Sequence, residues 1–250
     1  MPRAARPPHM TNGVACDRNL AWDGCVNVRD LGGLGDMTPG AVIRMDEPTT
    51  LTEAGWAAAW EHGVRTIVDL RDPCERTSDR AHRPDGIATV PVPVEPVGTP
   101  FHDRWQRIDG LASPLHYTAM LDEHPHAVVA AVRAVATAAP GGVAIHCAAG
   151  KDRTGLVTLV LLAFAGATAD EICADYLLSY GRLQPRFDAE NPGEGVRDQL
   201  TAVTGLLADH GTTIEESIAA TVAHLRMPDF LLEGGLPKSG LAALRRRLTG

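Results

Sequence analysis

The stretch that decides the fold is residues 139–164, "APGGVAIHCAAGKDRTGLVTLVLLAF". Pro140 closes the apolar-striped segment before it, and Gly141 with Gly142 turns the chain. "VAIH" then reads as a short buried strand, and the run from Leu156 onward as an apolar helix. Between them stand a cysteine, two alanines, a glycine and two cations, a composition suited to a tight loop. Helix, turn, strand, loop, helix is the alternation of a parallel sheet, in which ligand sites form beyond the carboxyl ends of the strands. Cys147 stands at such an end.

Working outward, Thr50 and Glu53 predict a capping box for a helix over 51–62, stopped at Gly63. Residues 41–45, 64–70 and 87–94 read as strands, the last at an edge because it carries prolines. Residues 95–114 read mostly as loop. "PLHYTAML" and "PHAVVAAVRAVATAAP" predict two helices, the second with Ala127, Val128, Ala131 and Val135 on one stripe. After Cys147 the chain reads as almost entirely helical. "TADE" caps a helix running to Tyr180, "FDAENPGEG" breaks it, two amphipathic helices follow, and "PKSGLAALRRRL" closes the chain; Thr213 and Glu216 cap the second amphipathic helix. The fold class expected is α/β: one domain with a central, mostly parallel sheet of about four to five strands, flanked by helices and helix-rich toward the C-terminus.

The 250 residues, 44% of them hydrophobic, are enough to bury a full core. A net charge of −8 excludes a general basic field for nucleic acid, so anion recognition must be local. Only Lys151 and Lys238 are lysines, and one of them falls inside the loop. The five cysteines are scattered and odd in number, which reads as reduced thiols in a cytoplasm. The histidines, His124 and His126 included, lack metal-ligand spacing, so neither metal nor cofactor is expected. "MPRAARPPHMTNG" lacks the apolar core of a signal peptide and reads as part of a disordered arm over residues 1–18. The longest apolar run, residues 156–167, falls short of the ~20 residues of a membrane span, so no stable membrane insertion is expected.

A cysteine wrapped by small residues where a strand gives way to a helix has its sulfur facing backbone N–H groups. Those dipoles and the helix N-terminus stabilise a thiolate, lowering the pKa from about 8.5 toward neutrality, and the same amides can hold phosphate oxygens. Arg153, six residues on, brings a planar fork that can grip two such oxygens and follow them into the transition state. Ala148, Ala149 and Gly150 let the backbone approach the ligand closely. Thr154 carries a hydroxyl able to donate to the sulfur, and Lys151 reads as added positive charge at the pocket rim. A nucleotide-binding P-loop is excluded, because Ile145 and Asp152 stand where it needs a glycine and a Ser or Thr. A sulfurtransferase loop lacks this step from cysteine to arginine. A non-catalytic phosphate-binding module and a phosphatase of small metabolites remain the competing readings.

"HCAAGKDRTG" resembles the loop of the cysteine-dependent tyrosine phosphatase superfamily, and more narrowly its bacterial tyrosine and lipid phosphatases. "NVRDLGGL", "DLRDPCE" and "ADYLLS" are similar to other segments of that family. The resemblance implies a tyrosine phosphatase-like catalytic domain over 19–250, with 187–250 as helical cover or lid. It implies hydrolysis of phosphate monoesters on a protein, lipid or small molecule through a phosphocysteine, without metal. Cys147 is then the nucleophile and Arg153 the stabiliser, while Ala148, Ala149, Gly150, Lys151 and Thr154 contact the substrate. Asp152 is the general acid that the resemblance favours, with Asp103 and Asp72 as rivals. His146, Arg29 and Asp30 are expected to support the loop and not to touch substrate.

Overall fold

The computed structural model describes residues 18–190 and 198–250. Its sheet has five strands: β1 (Arg29–Asp30), β2 (Val42–Met45), β3 (Val64–Asp69), β4 (Ala88–Pro91) and β5 (Gly142–His146). Their order is β1-β2-β5-β3-β4, with only β1 antiparallel, so the expected mostly parallel sheet is present. β5 lies at its centre, and the registers set Met45 and Asp69 beside His146. The carboxyl ends of β2, β3 and β5 therefore converge where the loop after Cys147 begins.

Side chains alternate across the sheet as the two-residue period requires. Val42, Val68, Val143 and Ile145 enter the larger core, while Ile43, Ile67 and Ala144 enter the smaller one. α1 (Glu53–Glu61) covers the smaller core with Trp56, which is 1% exposed. The larger core lies under α2 (Pro100–Gln106), α3 (Tyr117–Glu123), α4 (Pro125–Thr137), α5 (Asp152–Phe164) and α6 (Ala169–Glu190). α7 (Gln199–Asp209), α8 (Ile214–His224), α9 (Asp229–Glu233) and α10 (Lys238–Thr249) complete that layer. α5 is buried on nearly every side from Thr154 to Leu162, which is why its sequence shows no polar face.

Several elements depart from expectation. α1 is capped by Thr52, whose hydroxyl accepts from the Gly55 N–H at 3.2 Å, and Thr50 belongs instead to a short 3-10 turn. The region 95–114 contains α2, because Thr99 and Pro100 start a helix there without any apolar periodicity to announce it. "NVRDLGGL" supplies an edge strand as well as a turn. α6 continues through Pro185 to Glu190, supported by Gln184–Asp188 and Arg186–Glu190 contacts one turn apart. Residues 1–17 of the expected arm, residues 191–195 of the expected break and the two residues after it lie outside the described residues. Arg18, also assigned to the arm, pairs with Asp175 at 2.9 Å. Among the described residues, no helix is long and apolar enough to cross a membrane.

Candidate active site

The loop after β5 is built from outside. Every carbonyl from Cys147 to Asp152 is engaged by a scaffold donor. The His146 ring nitrogen Nδ1 is 2.9 Å from the Cys147 oxygen, and the Glu47 N–H donates to the Ala148 oxygen at 3.0 Å. Asn27 Nδ2 donates to the oxygens of Ala149 (2.9 Å) and Gly150 (3.2 Å). Arg44 Nη2 donates to those of Gly150 (2.8 Å) and Lys151 (3.2 Å), and the Tyr117 hydroxyl to that of Asp152 (2.8 Å). With its carbonyls turned to the scaffold, the loop presents its N–H groups to the opposite side. Among the described residues, none of the N–H groups from Ala148 to Arg153 donates to a protein acceptor. This is the amide nest that an anion requires.

Gly150 makes the curl possible. Its φ is +66°, and a Cβ there would lie 2.2 Å from the Met45 carbonyl oxygen. Gly155 permits the next approach, since a Cβ would meet the Tyr117 hydroxyl at 2.6 Å.

Arg29 and Arg44 are held by one buried carboxylate, Asp175 of α6. Arg29 Nε and Arg44 Nη1 reach it at 3.0 and 2.8 Å, and Arg29 Nη1 also donates to Asn27 Oδ1 at 2.7 Å. Burial by itself would raise the Asp175 carboxyl, but the two guanidinium groups outweigh it and hold it well below the usual carboxylate range. Burial and the like charge of Arg44 push Arg29 down to about 9, against the pull of Asp175. The directions differ because a single carboxylate serves three guanidinium groups, those of Arg18, Arg29 and Arg44. Asp30 instead accepts from the Gly32 and Gly40 N–H groups at 2.8 and 2.7 Å, fixing the turn.

The nest opens into a cavity of about 290 Å³. Cys147, Ala148, Ala149, Asp152 and Arg153 line it, facing an apolar wall that includes Phe101, Leu111 and Met120. Gly150, Lys151 and Thr154 do not line it. Lys151 differs from the expected rim cation: it is 4% exposed, its Nζ donates to the Ala112 oxygen at 3.1 Å, and it stands 4.5 Å from the centre of the Tyr180 ring. The aromatic face, the carbonyl and the Asp152 carboxylate, 3.6 Å from Nζ, hold it there. The Thr154 hydroxyl is buried, and it has no hydrogen-bond partner among the described residues, the Cys147 sulfur included.

The three candidate acids are separated. Asp152 lines the cavity and accepts from the Tyr176 hydroxyl at 2.8 Å. Asp103 is 62% exposed on α2 and does not line the cavity. Asp72 caps a 3-10 turn, accepting from the Cys74 N–H while its own N–H donates to Glu75.

Two glutamates that meet Arg153 were not singled out by the sequence. Glu75 takes Arg153 end-on, at 2.5 and 2.7 Å from Nη1 and Nη2. Glu95 approaches Nε at 3.4 Å. Burial raises the Glu95 carboxyl, opposed by Arg153 and His102. Glu75 lies within the "DLRDPCE" segment, which is where a signal existed; Glu95 sits in a loop with none.

His146 is 1% exposed, and burial lowers its imidazole to about 4 despite Asp69 nearby. An unfolded histidine takes its proton near pH 6.5, whereas the folded ring stays neutral to about 4. Its contribution to stability is therefore complete above about pH 6.5 and is lost as the pH falls toward 4. Burial lowers His116 too, in the same direction. Urea unfolding of the protein is expected to weaken by about 2–3 kcal/mol across that window, and by clearly less in His146→Gln. Identical pH slopes in the two proteins would refute this account.

Comparison with known proteins agrees with this geometry. A profile described as the tyrosine phosphatase family matches residues 20–250. A candidate tyrosine-protein phosphatase of Cupriavidus necator is 31% identical over 175 residues, covering 66% of this chain and 64% of that one. A triple specificity protein phosphatase, PtpB, of Mycobacterium tuberculosis is 27% identical over 271 aligned positions, covering 91% of this chain and 98% of that one. A tyrosine-protein phosphatase of Nostoc commune is 28% identical over 163 residues, and the chain spans 54% of its length.

Proposed function

The chain belongs to the tyrosine phosphatase family, and on that premise we propose that it hydrolyses phosphate monoesters, protein phosphotyrosine foremost, through a phosphocysteine intermediate. The observation that carries this reading is the engagement of every loop carbonyl by the scaffold, which leaves the N–H groups and Arg153 around one sulfur. The Cys147 sulfur attacks phosphorus, and the P–O bond to the substrate breaks as the S–P bond forms. Asp152 gives its proton to the departing oxygen. Water then attacks the phosphocysteine and yields a proton to the Asp152 carboxylate, the S–P bond breaks, and inorganic phosphate leaves. The loop amides and the Arg153 fork bear the charge on the equatorial oxygens in both steps. The Thr154 hydroxyl is available to donate to the sulfur as it departs.

The apolar wall of Phe101, Leu111 and Met120 suits an aromatic ring, which favours an aryl ester over a short alkyl one. Helices α7 to α10 serve in this reading as fixed cover, because Leu207, Ile218, Leu244 and Leu248 are buried in the same core as Cys147.

The intermediate provides the test. Rapid acid quench during turnover of a radiolabelled phosphotyrosine peptide, in buffer containing a chelator, is expected to leave acid-stable label on Cys147. Turnover without any label would overturn the covalent route. Tight phosphate binding without turnover would make the chain a phosphate-binding module.

A further inference from the structure

We propose that Glu95 sets the charge selectivity of this site, which takes singly phosphorylated aryl groups with neutral or cationic neighbours and turns away those with a second anion beside the scissile phosphate. The proposal rests on the phosphatase reading above and deepens it to a substrate class. The charged side chains that line the cavity are Glu95, Asp152 and Arg153. Among the described residues, Arg153 is thus the lone formal cation of the lining, since burial keeps His116 toward its neutral form. Arg153 is itself compensated end-on by Glu75.

One phosphoryl group uses the loop amides and shares the Nε side of the guanidinium with Glu95, whose Oε2 stands 3.4 Å away. Among the described residues, no second cation lines this space of about 290 Å³, so a second phosphate or carboxylate there meets Glu95 instead. Lys151, read from the sequence as a rim cation, does not line the cavity, and its Nζ is taken by the Ala112 carbonyl, the Tyr180 ring face and the Asp152 carboxylate at 3.6 Å. Glu95 is anchored where it can act, with Oε2 at 3.4 Å from Arg153 Nε and Oε1 at 3.5 Å from His102 Nε2. A substrate cation beside the phosphate gains attraction from the same carboxylate, and like charges brought together are penalised.

Three phosphotyrosine peptides that differ only in flanking lysine, glutamine or glutamate residues test this at pH 7.5. For the unaltered protein, kcat/KM is expected to favour the lysine-flanked over the glutamate-flanked peptide by about tenfold, with the glutamine-flanked one between. In Glu95→Gln the ratio should fall to about threefold or less, through a gain on the glutamate-flanked peptide. A soluble inositol bisphosphate should inhibit no better than inorganic phosphate. Equal rates on all three peptides would overturn the proposal, as would inhibition by the bisphosphate tenfold stronger than by phosphate. A parallel loss on every peptide in folded Glu95→Gln would also overturn it, marking Glu95 as only a support for Arg153.

Titrating the same peptides into Cys147→Ser reads the ranking from binding. Absent turnover of any aryl phosphate would sink the phosphatase reading, whereas an absent or reversed ranking in binding would sink charge selection. The peptide series on the unaltered protein decides the matter even where Glu95→Gln does not fold.

Discussion

Cys147→Ser is expected to lower aryl phosphate turnover by a factor on the order of 10⁴ or more while retaining phosphate binding, because it removes the attacking sulfur and leaves the amide nest in place. Arg153→Ala should cost about 10²–10⁴ in kcat/KM, the scale of losing a preorganised charge from a water-poor site. The two changes differ in kind. The serine variant keeps the fork that grips the oxygens, so vanadate or phosphate should still protect it from thermal unfolding, whereas Arg153→Ala should lose most of that protection. Glu75 adds a further expectation, since it orients the guanidinium end-on from a capped turn. Arg153→Lys cannot make that bidentate contact and should recover little of the rate. Full turnover by Cys147→Ser on a good leaving group would end the covalent mechanism.

The second large effect concerns stability. Asp175→Asn leaves Arg29 and Arg44 buried without their counter-charge, and breaking such a pair from one side typically costs about 3–5 kcal/mol. The damage reaches the site, because Arg44 holds the carbonyls of Gly150 and Lys151, and Arg29 orients Asn27, which holds those of Ala149 and Gly150. Urea unfolding at pH 7 measures the loss directly. The pH dependence provides a second reading. The Asp175 carboxyl is held below its unfolded value of about 3.9, so it contributes stability above that pH which is lost as the pH falls through its folded value. Asp175→Asn should lack that share of the acid-induced destabilisation. A loss below about 1 kcal/mol at pH 7 would show that the two guanidinium groups find other partners.

Much of the site was legible because its parts are contiguous. Cys147, the small residues, Asp152 and Arg153 sit within one strand-loop-helix turn, and Asp152 and Arg153 line the same cavity as Cys147. The roles of Asn27, Arg44, Tyr117 and Asp175 were not legible. Each lies on a different element, and what makes it matter is a carbonyl or a charge contributed by a distant one. α2 escaped for a related reason: its start is written in Thr99 and Pro100, while its apolar contact comes mainly from Phe101, too little to form a periodic pattern.

What the amino-acid order determined unaided was local and covalent: a short buried strand, a glycine free to take positive φ, and a cysteine six positions before an arginine. Those follow from backbone sterics and hydrophobic period, which act over a few residues. The tertiary structure alone decided where charge resides. It buried Lys151 against the Ala112 carbonyl and the Tyr180 ring, set Glu75 and Glu95 on either side of Arg153 and gathered three guanidinium groups around Asp175. Electrostatic energy depends on distance and burial in three dimensions, and neither is a function of spacing along the chain.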